Sequence, residues 1–452
     1  MQPESNTIPG MAVDTSFFLR EKTGQAIESL KRGVWIYLLL LIFEGALRKW
    51  FLPRLAAPLL VVRDPLAIWM LFVAWKHGIF KLNWYIRAMI TVSAISLFTT
   101  LIVGHRNIVV AAFGARILIL HWPLMFLIGR VLERKDLIQM GKVWLLVSIP
   151  MLLLIMLQFY SPQSALINRG VGGDVAGAGF SGALGYYRPP GTFSFTTGNA
   201  QFFSVTGMFV AYFWLEKTNI NRFVLMGASV ALLAAIPFSI SRTLTFQVIL
   251  TGGFALLAIY RKPKYWARTA IVGAGLFFTL VFLNKFEFFQ NATAALTVRY
   301  DSATEGEGGL EGVLGNRFLG GLLNALFSSN QPFFGYGMGM GTNAGAKLMM
   351  GNVDFFLIAE EDWARLVGEM GSLLGISVIV IRLRFCYKIL TEGYKWLREN
   401  DMLPWILLSF AIYTVATGQW AQPTALGFST LIGGWVIASL KGKETEEDQQ
   451  AQ

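Results

Sequence analysis

The chain has 452 residues, of which 54% are apolar and only 14% are Asp, Glu, Lys or Arg, against about 25% charged in ordinary soluble domains. Too few polar groups remain to cover a water-facing surface, and 36 Phe with 14 Trp exclude a disordered chain. One cysteine, Cys386, and three histidines, His77, His105 and His121, exclude a disulfide framework and a cysteine-cluster metal site, so the composition specifies an all-α polytopic membrane protein.

A bilayer core about 30 Å thick takes about 20 apolar residues per helix. Runs of that kind predict twelve transmembrane helices, at 33–51, 58–75, 84–104, 108–131, 143–160, 200–215, 223–240, 243–260, 266–283, 357–381, 403–420 and 424–440. Residues 1–32 read as a cytoplasmic N-terminal segment. Arg20, Glu21, Lys22, Glu28, Lys31 and Arg32 interrupt it, no signal-peptide core is evident, and 12–32 carries a weak pattern for an interfacial amphipathic helix. With the N-terminus inside and twelve alternating spans, more than half of the 38 Lys and Arg fall on the cytoplasmic side, as the positive-inside rule requires. The tail 441–452 is then cytoplasmic too. The net charge of +11 thus anchors topology, and nucleic acid is not expected as a partner. On the opposite side, 161–199 and 284–356 form two long glycine-rich loops without obvious secondary structure, a class that is often functional. They are expected to roof an outward-facing cavity over the membrane domain 33–440.

Charged residues within the spans are the next signal, because each costs several kcal/mol to insert. Glu44 and Arg48 lie four apart and can pair on one helix face. Arg63-Asp64-Pro65 has the make-up of a helix cap. Arg116 sits mid-span ahead of His121, and a cavity-facing role and a structural one stand equal there. His105 reads as loop-exposed and His77 as a cytoplasmic-surface residue. Arg242 interrupts two apolar runs in Ser239-Ile-Ser-Arg-Thr. Arginine's planar fork suits a diphosphate, whereas a simple turn between spans would need only polar residues such as the serines. Glu360-Glu361-Asp362-Trp363-Ala364-Arg365, with Glu369, opens the tenth span. One or two acids suit a helix N-terminus; four exceed that need. Glu361 and Arg365 are spaced to pair, which leaves Glu360 to face elsewhere. The run Gly335-Tyr-Gly-Met-Gly-Met-Gly341 lacks the ending and context of a nucleotide loop, so it reads as close backbone packing or a lid.

Taken in order, Arg188-Pro-Pro-Gly-Thr-Phe with Asn199, Ser241-Arg242, the Gly335–Gly341 run, and Ala359-Glu360-Glu361-Asp362-Trp363 with Glu369, Gly371 and Gly375 resemble the O-antigen ligase and Wzy-type polysaccharide polymerase superfamily over residues 140–440. The segment Glu44-Gly-Ala-Leu-Arg-Lys-Trp50 looks like a subfamily feature of unknown role. The resemblance implies a GT-C-like fold at the outer face of a bacterial plasma membrane. It implies transfer of glycan from undecaprenyl diphosphate to the hydroxyl of an acceptor glycan, independent of metal and of any cofactor. Membrane lipids, a chain-length regulator and a flippase are the further partners it implies. Its diphosphate-binding arginines fall on Arg188 and Arg242, and Arg365 and Arg116 are further candidates. Glu360 stands where ligases have a histidine, and no histidine follows residue 121. That favours a polymerase, with Glu360 as the expected catalytic proton acceptor and Glu361 or Asp362 as substitutes. Two alternatives stay open: a ligase acting on lipid A core or protein, and a transporter or flippase, which would need broken helices and a midplane site.

The chemistry sets its own requirements. Glycosyl transfer passes through an oxocarbenium-like state while negative charge grows on the leaving diphosphate. Fixed guanidinium groups stabilise that charge, and backbone donors of the glycine-rich run are expected to assist. A carboxylate then takes the acceptor's proton.

Overall fold

Backbone in a bilayer has no water to bond, so an apolar segment must close its own hydrogen bonds, and a helix does so within one segment. Every one of the twelve apolar stretches overlaps a helix in the structure, a computed structural model describing residues 15–216, 218–260, 262–307, 323, 332–350 and 361–441. In chain order the helices are α1 (Thr15–Ala46), α2 (Ala56–Leu59), α3 (Arg63–Lys76), α4 (Trp84–Ile102), α5 (Ile108–Arg116), α6 (Trp122–Val131), α7 (Arg134–Tyr160) and α8 (Thr196–Leu215). They continue with α9 (Arg222–Phe238), α10 (Arg242–Ile259), α11 (Pro263–Leu283), α12 (Glu287–Glu307), α13 (Asn343–Met350), α14 (Asp362–Arg398), α15 (Leu403–Thr417) and α16 (Pro423–Ser439). Among the described residues, seven helices are long and apolar enough to cross a membrane, and the apolar helices α9, α15 and α16 are shorter, at 17, 15 and 17 residues.

A helix that is apolar all round belongs in the interior. The helices α8, α15 and α16 fit that rule, being buried along most of their length. Their aromatic rings interlock: Trp144 of α7 stacks on Phe202 at 4.8 Å and meets Trp435 edge-on at 5.9 Å. At one end of the bundle, Lys31 pairs with Glu133 (3.2 Å) and Asp136 (3.0 Å). Arg134 pairs there with Asp401, so α1, α7 and the turn before α15 are fastened together.

Three expectations are revised. First, α1 begins at Thr15 and runs on to Ala46, so the described part of 12–32 is continuous with the first apolar stretch rather than a separate interfacial helix. Second, the segment 284–356 is not bare loop, since it contains α12 and α13. Phe289, Ala292, Ala295 and Leu296 are buried at three- and four-residue spacing, which makes an apolar helical stripe. Third, the segment 161–199 carries an antiparallel hairpin, β1 (Phe180–Ala183) with β2 (Tyr186–Arg188), in which Phe180 faces Arg188.

Candidate functional site

The hairpin is held by aromatic packing. Phe159, near the end of α7, stacks on Tyr186 at 4.4 Å and meets Phe238 of α9 at 5.4 Å. Phe238 in turn stacks on Phe288 of α12 at 6.2 Å, and the hydroxyl of Tyr160 donates to the Phe288 carbonyl. The chain then turns from α9 into α10 through Ile240, whose φ of +46° is strained for a β-branched residue. Ile240 is buried, and its side chain packs at Gly182 of β1. Strained backbone of this kind persists only where its surroundings over-determine it. The result is a rigid junction of the hairpin, the start of α10 and the first half of α12.

Each of these three elements contributes an arginine. Arg188 ends β2, Arg242 opens α10 behind the capping serine Ser241, and Arg299 lies on α12. Arg299 follows Ala292, Ala295 and Leu296 by seven, four and three residues, so it shares their inward face. Burial and then the positive fields of Arg299 and Arg242 pull the Arg188 pKa down to about 10. The Arg188 guanidinium lies 4.5 Å above the Phe180 ring, and its buried Nε has no hydrogen-bond partner. Among the described residues no carboxylate bonds Arg188. The Arg188 guanidinium therefore keeps a buried donor that no described residue accepts.

The loop after Arg188 is gripped on every side. Gln158 of α7 accepts from the Gly191 amide (2.8 Å) and donates to its carbonyl (3.1 Å). Asn199 of α8 donates to the Pro189 carbonyl at 3.2 Å, so the structure brings Asn199 to the motif it accompanies in sequence. Lys49 donates to the Gly191 carbonyl at 2.7 Å.

The other predicted site residues lie elsewhere or hold other partners. Glu360 lies outside the described residues. Glu361 caps the N-terminus of α14 through its backbone position and is half-buried. Asp362 is buried, and its oxygens accept from Arg365 at 2.9 and 3.0 Å and from Arg382 at 2.5 Å. Arg365 also donates to Glu369 at 2.7 Å. Its side chain therefore pairs with Asp362 and Glu369, not with Glu361 as the spacing suggested, because α14 turns those two acids into the interior. With its donors committed to two acids, Arg365 is an internal counter-ion and is placed poorly for a diphosphate. Asp362, expected as a substitute base, is committed in the same way.

Arg116 donates to both oxygens of Asp64 at 2.7 and 2.8 Å and lies 3.9 Å over the Phe113 ring, so its partner is structural. Asp64 also bonds His121 Nε2 (2.9 Å), and His121 Nδ1 meets the Tyr37 hydroxyl at 3.2 Å. Arg63 reaches Glu44 at 3.2 Å, and Glu44 lies 3.5 Å from Arg48, the pairing that four-residue spacing predicts. Arg63 and Asp64 do not cap α3, whose N-terminus carries no side-chain cap bond. In an apolar interior their charges gain more from opposite charges than from a helix end.

The glycine-rich run has the packing role expected of it, but not the assisting one. Gly335 donates to the Pro332 carbonyl, Tyr336 to Gly368, Gly337 to Glu369, Met340 to Gly337 and Thr342 to Gly339. Met338 and Gly341 donate to Thr100 Oγ1 (2.9 Å) and Glu369 Oε1 (2.7 Å). These amides are committed and are not offered to a leaving diphosphate. A Cβ on Gly335 would stand 2.4 Å from the Gly371 amide, where α14 kinks through a φ of +78°. Only glycine fits both sides of that contact. His105 is half-buried and not free in a loop, since its Nε2 bonds the Met338 carbonyl at 3.0 Å.

The residue that sequence reasoning missed is Arg299. It lay inside a segment taken for loop, although the spacing of its apolar neighbours would have shown a helix. Among the described residues no group of three His, Cys, Asp or Glu side chains is arranged to hold a metal ion. The chain is mostly helical, with several helices long and apolar enough to span a membrane. No family model matches the chain, and none of the curated proteins matches its sequence.

Proposed function

We propose that this protein is a membrane glycosyltransferase of the polysaccharide-polymerase type, with a GT-C-like arrangement of twelve spans and both termini cytoplasmic. It moves glycan from a polyprenyl diphosphate to a hydroxyl of a second glycan at the outer face of a bacterial plasma membrane. The observation that carries this reading is the convergence of Arg188, Arg242 and Arg299 on one junction, with the buried Arg188 Nε lacking a partner among the described residues. A diphosphate supplies the missing acceptors, and bidentate guanidinium contacts are the strong form of that bond.

In the reaction the bond between the sugar's anomeric carbon and the diphosphate oxygen breaks, and its electron pair stays on the diphosphate. The three guanidiniums stabilise the charge that grows there. The acceptor oxygen bonds the anomeric carbon and gives its proton to a carboxylate. We assign that acceptor to Glu360 or Glu361 rather than Asp362, whose oxygens are already held by Arg365 and Arg382. The absence of any histidine after residue 121 favours polymerase over ligase chemistry.

The test is incubation of the purified protein, in nanodiscs, with a lipid-linked oligosaccharide. Longer chains and released polyprenyl diphosphate are the expected products, lost in Arg188→Ala, Arg242→Ala and Arg299→Ala. Normal chain lengths from all three variants would remove the proposal.

A further inference from the structure

The segment Glu44–Trp50 was singled out by its sequence, and the reaction above does not use it. We infer that this segment is a clamp that fixes the backbone of the loop following Arg188, with Lys49 as the positioning residue; the inference rests on the diphosphate reading of that arginine.

The clamp starts with a defect in the helix. At Leu47–Phe51 the chain leaves α1 through a π turn, and such turns mark functional positions more often than ordinary helix does. Adjacent residues on an α-helix diverge by about 100°, yet Arg48 and Lys49 are both buried. Both point at the same loop. Arg48 donates to Ser194 Oγ at 2.9 Å, and Lys49 donates to the Gly191 carbonyl at 2.7 Å. From the loop's side, Thr192 Oγ1 donates to the Ile42 carbonyl at 2.5 Å. Between them Gly45 lets the two backbones touch: a Cβ there would stand 2.4 to 2.5 Å from the backbone of Thr192, Phe193 and Ser194. Gly45, Arg48 and Lys49, with Ile42 in the preceding turn of α1, are therefore shaped to one short stretch of loop.

Lys49 is the informative member. It is 1% exposed, and burying an ammonium is costly unless the charge or its donors are needed. Among the described residues its only hydrogen-bond acceptor is the Gly191 carbonyl, and its Nζ lies 4.6 Å from the Trp50 ring. Gly191, with a φ of +63°, is three residues beyond Arg188. The same carbonyl also accepts from Gln158, whose Oε1 accepts from the Gly191 amide. A shift of this carbonyl would carry through Pro189 and Pro190, whose rings fix φ and leave little slack, to the guanidinium itself.

The experiment measures binding of inorganic pyrophosphate by calorimetry, with the melting temperature of the unliganded protein, for full-length protein in nanodiscs. Lys49→Met removes the donor and keeps the bulk; Lys49→Gln restores a neutral donor; Arg188→Ala is the reference. Arg188→Ala should weaken pyrophosphate by at least about 30-fold, Lys49→Met by about 5- to 10-fold, and Lys49→Gln by less than Lys49→Met. Lys49→Met should melt no lower than wild type, because an apolar side chain replaces a buried charge. A purely structural lysine would lower the melting temperature and leave the affinity of the folded protein unchanged. If Arg188→Ala binds pyrophosphate normally, the diphosphate reading itself fails. If Arg188→Ala is weakened while Lys49→Met binds as wild type, or Lys49→Gln binds as poorly as Lys49→Met, the clamp alone is overturned.

Discussion

Two groups of arginines in this protein follow opposite rules. Around α14, Arg365 and Arg382 are matched by Asp362 and Glu369, and every one of the four side chains is buried and bonded. At the hairpin junction, Arg188 sits in the positive field of Arg242 and Arg299, and its buried Nε has no acceptor among the described residues. The same side chain thus bonds acids of the chain in one place, whereas at Arg188 it keeps a donor that no described residue accepts. The difference lies in whether a carboxylate among the described residues bonds the guanidinium. A buried arginine bonded to its acids holds the fold together, whereas a buried donor left without an acceptor costs stability.

The largest effects should come from breaking the complete cluster. Arg382→Leu leaves Asp362 and Arg365 with an altered charge balance in the interior, and removing one partner of a buried pair costs about 3–5 kcal/mol. Thermal unfolding in detergent should show a large drop in melting temperature, or no folded protein at all. A melting temperature equal to wild type would mean that α14 does not depend on this network.

Next comes Arg188→Ala, which should abolish polymer formation at little cost to the fold. Loss of one such donor is worth about a 100- to 1000-fold drop in rate. Because the folded pKa, about 10, lies below that of an ordinary guanidinium, the folded state holds this proton at a cost at any pH below its folded pKa. That cost fades only as pH rises from there towards the ordinary guanidinium value. Alanine removes it at neutral pH, so the variant should melt no lower than wild type. A variant that is both inactive and unfolded would erase the contrast between the two clusters.

A smaller effect sharpens it further. Pyrophosphate at a hundredfold excess over its Kd should stabilise the wild type by about 2.7 kcal/mol and Arg188→Ala much less. The gain should shrink with added salt to the extent that the site is open to solvent. The smallest effect belongs to the exposed pair Lys395–Glu392, 2.8 Å apart. Lys395→Ala should change stability by less than about 1 kcal/mol and leave pyrophosphate binding untouched. It serves as the control for charge removal as such.

Much of the architecture was legible because the bilayer imposes a one-dimensional rule. The apolar runs marked where helices form, and the spacing of Glu44 and Arg48 gave their pairing directly. Arg242 was visible as an arginine between two apolar runs, and Arg188 only through the resemblance that its motif carries. Asp362 and Arg365 were visible as charges opening an apolar run, but their roles were not. Whether a charge faces a partner or a site depends on the turn of α14 and on Arg382, which lies twenty residues further along the chain.

Local composition and periodicity therefore determined that this is a mostly helical chain with membrane-length helices, since each run's hydrophobicity and helical spacing act within a few turns. Only the tertiary structure decided which arginines are neutralised, that Arg299 joins Arg188 and Arg242, and that the glycine-rich run spends its amides on its neighbours. It also brought Gly45 and Lys49 against the loop that follows Arg188. Those outcomes rest on contacts between residues up to hundreds of positions apart. Electrostatics and close packing act across space, and the linear order of residues does not record which distant groups the fold brings within 3 Å of one another.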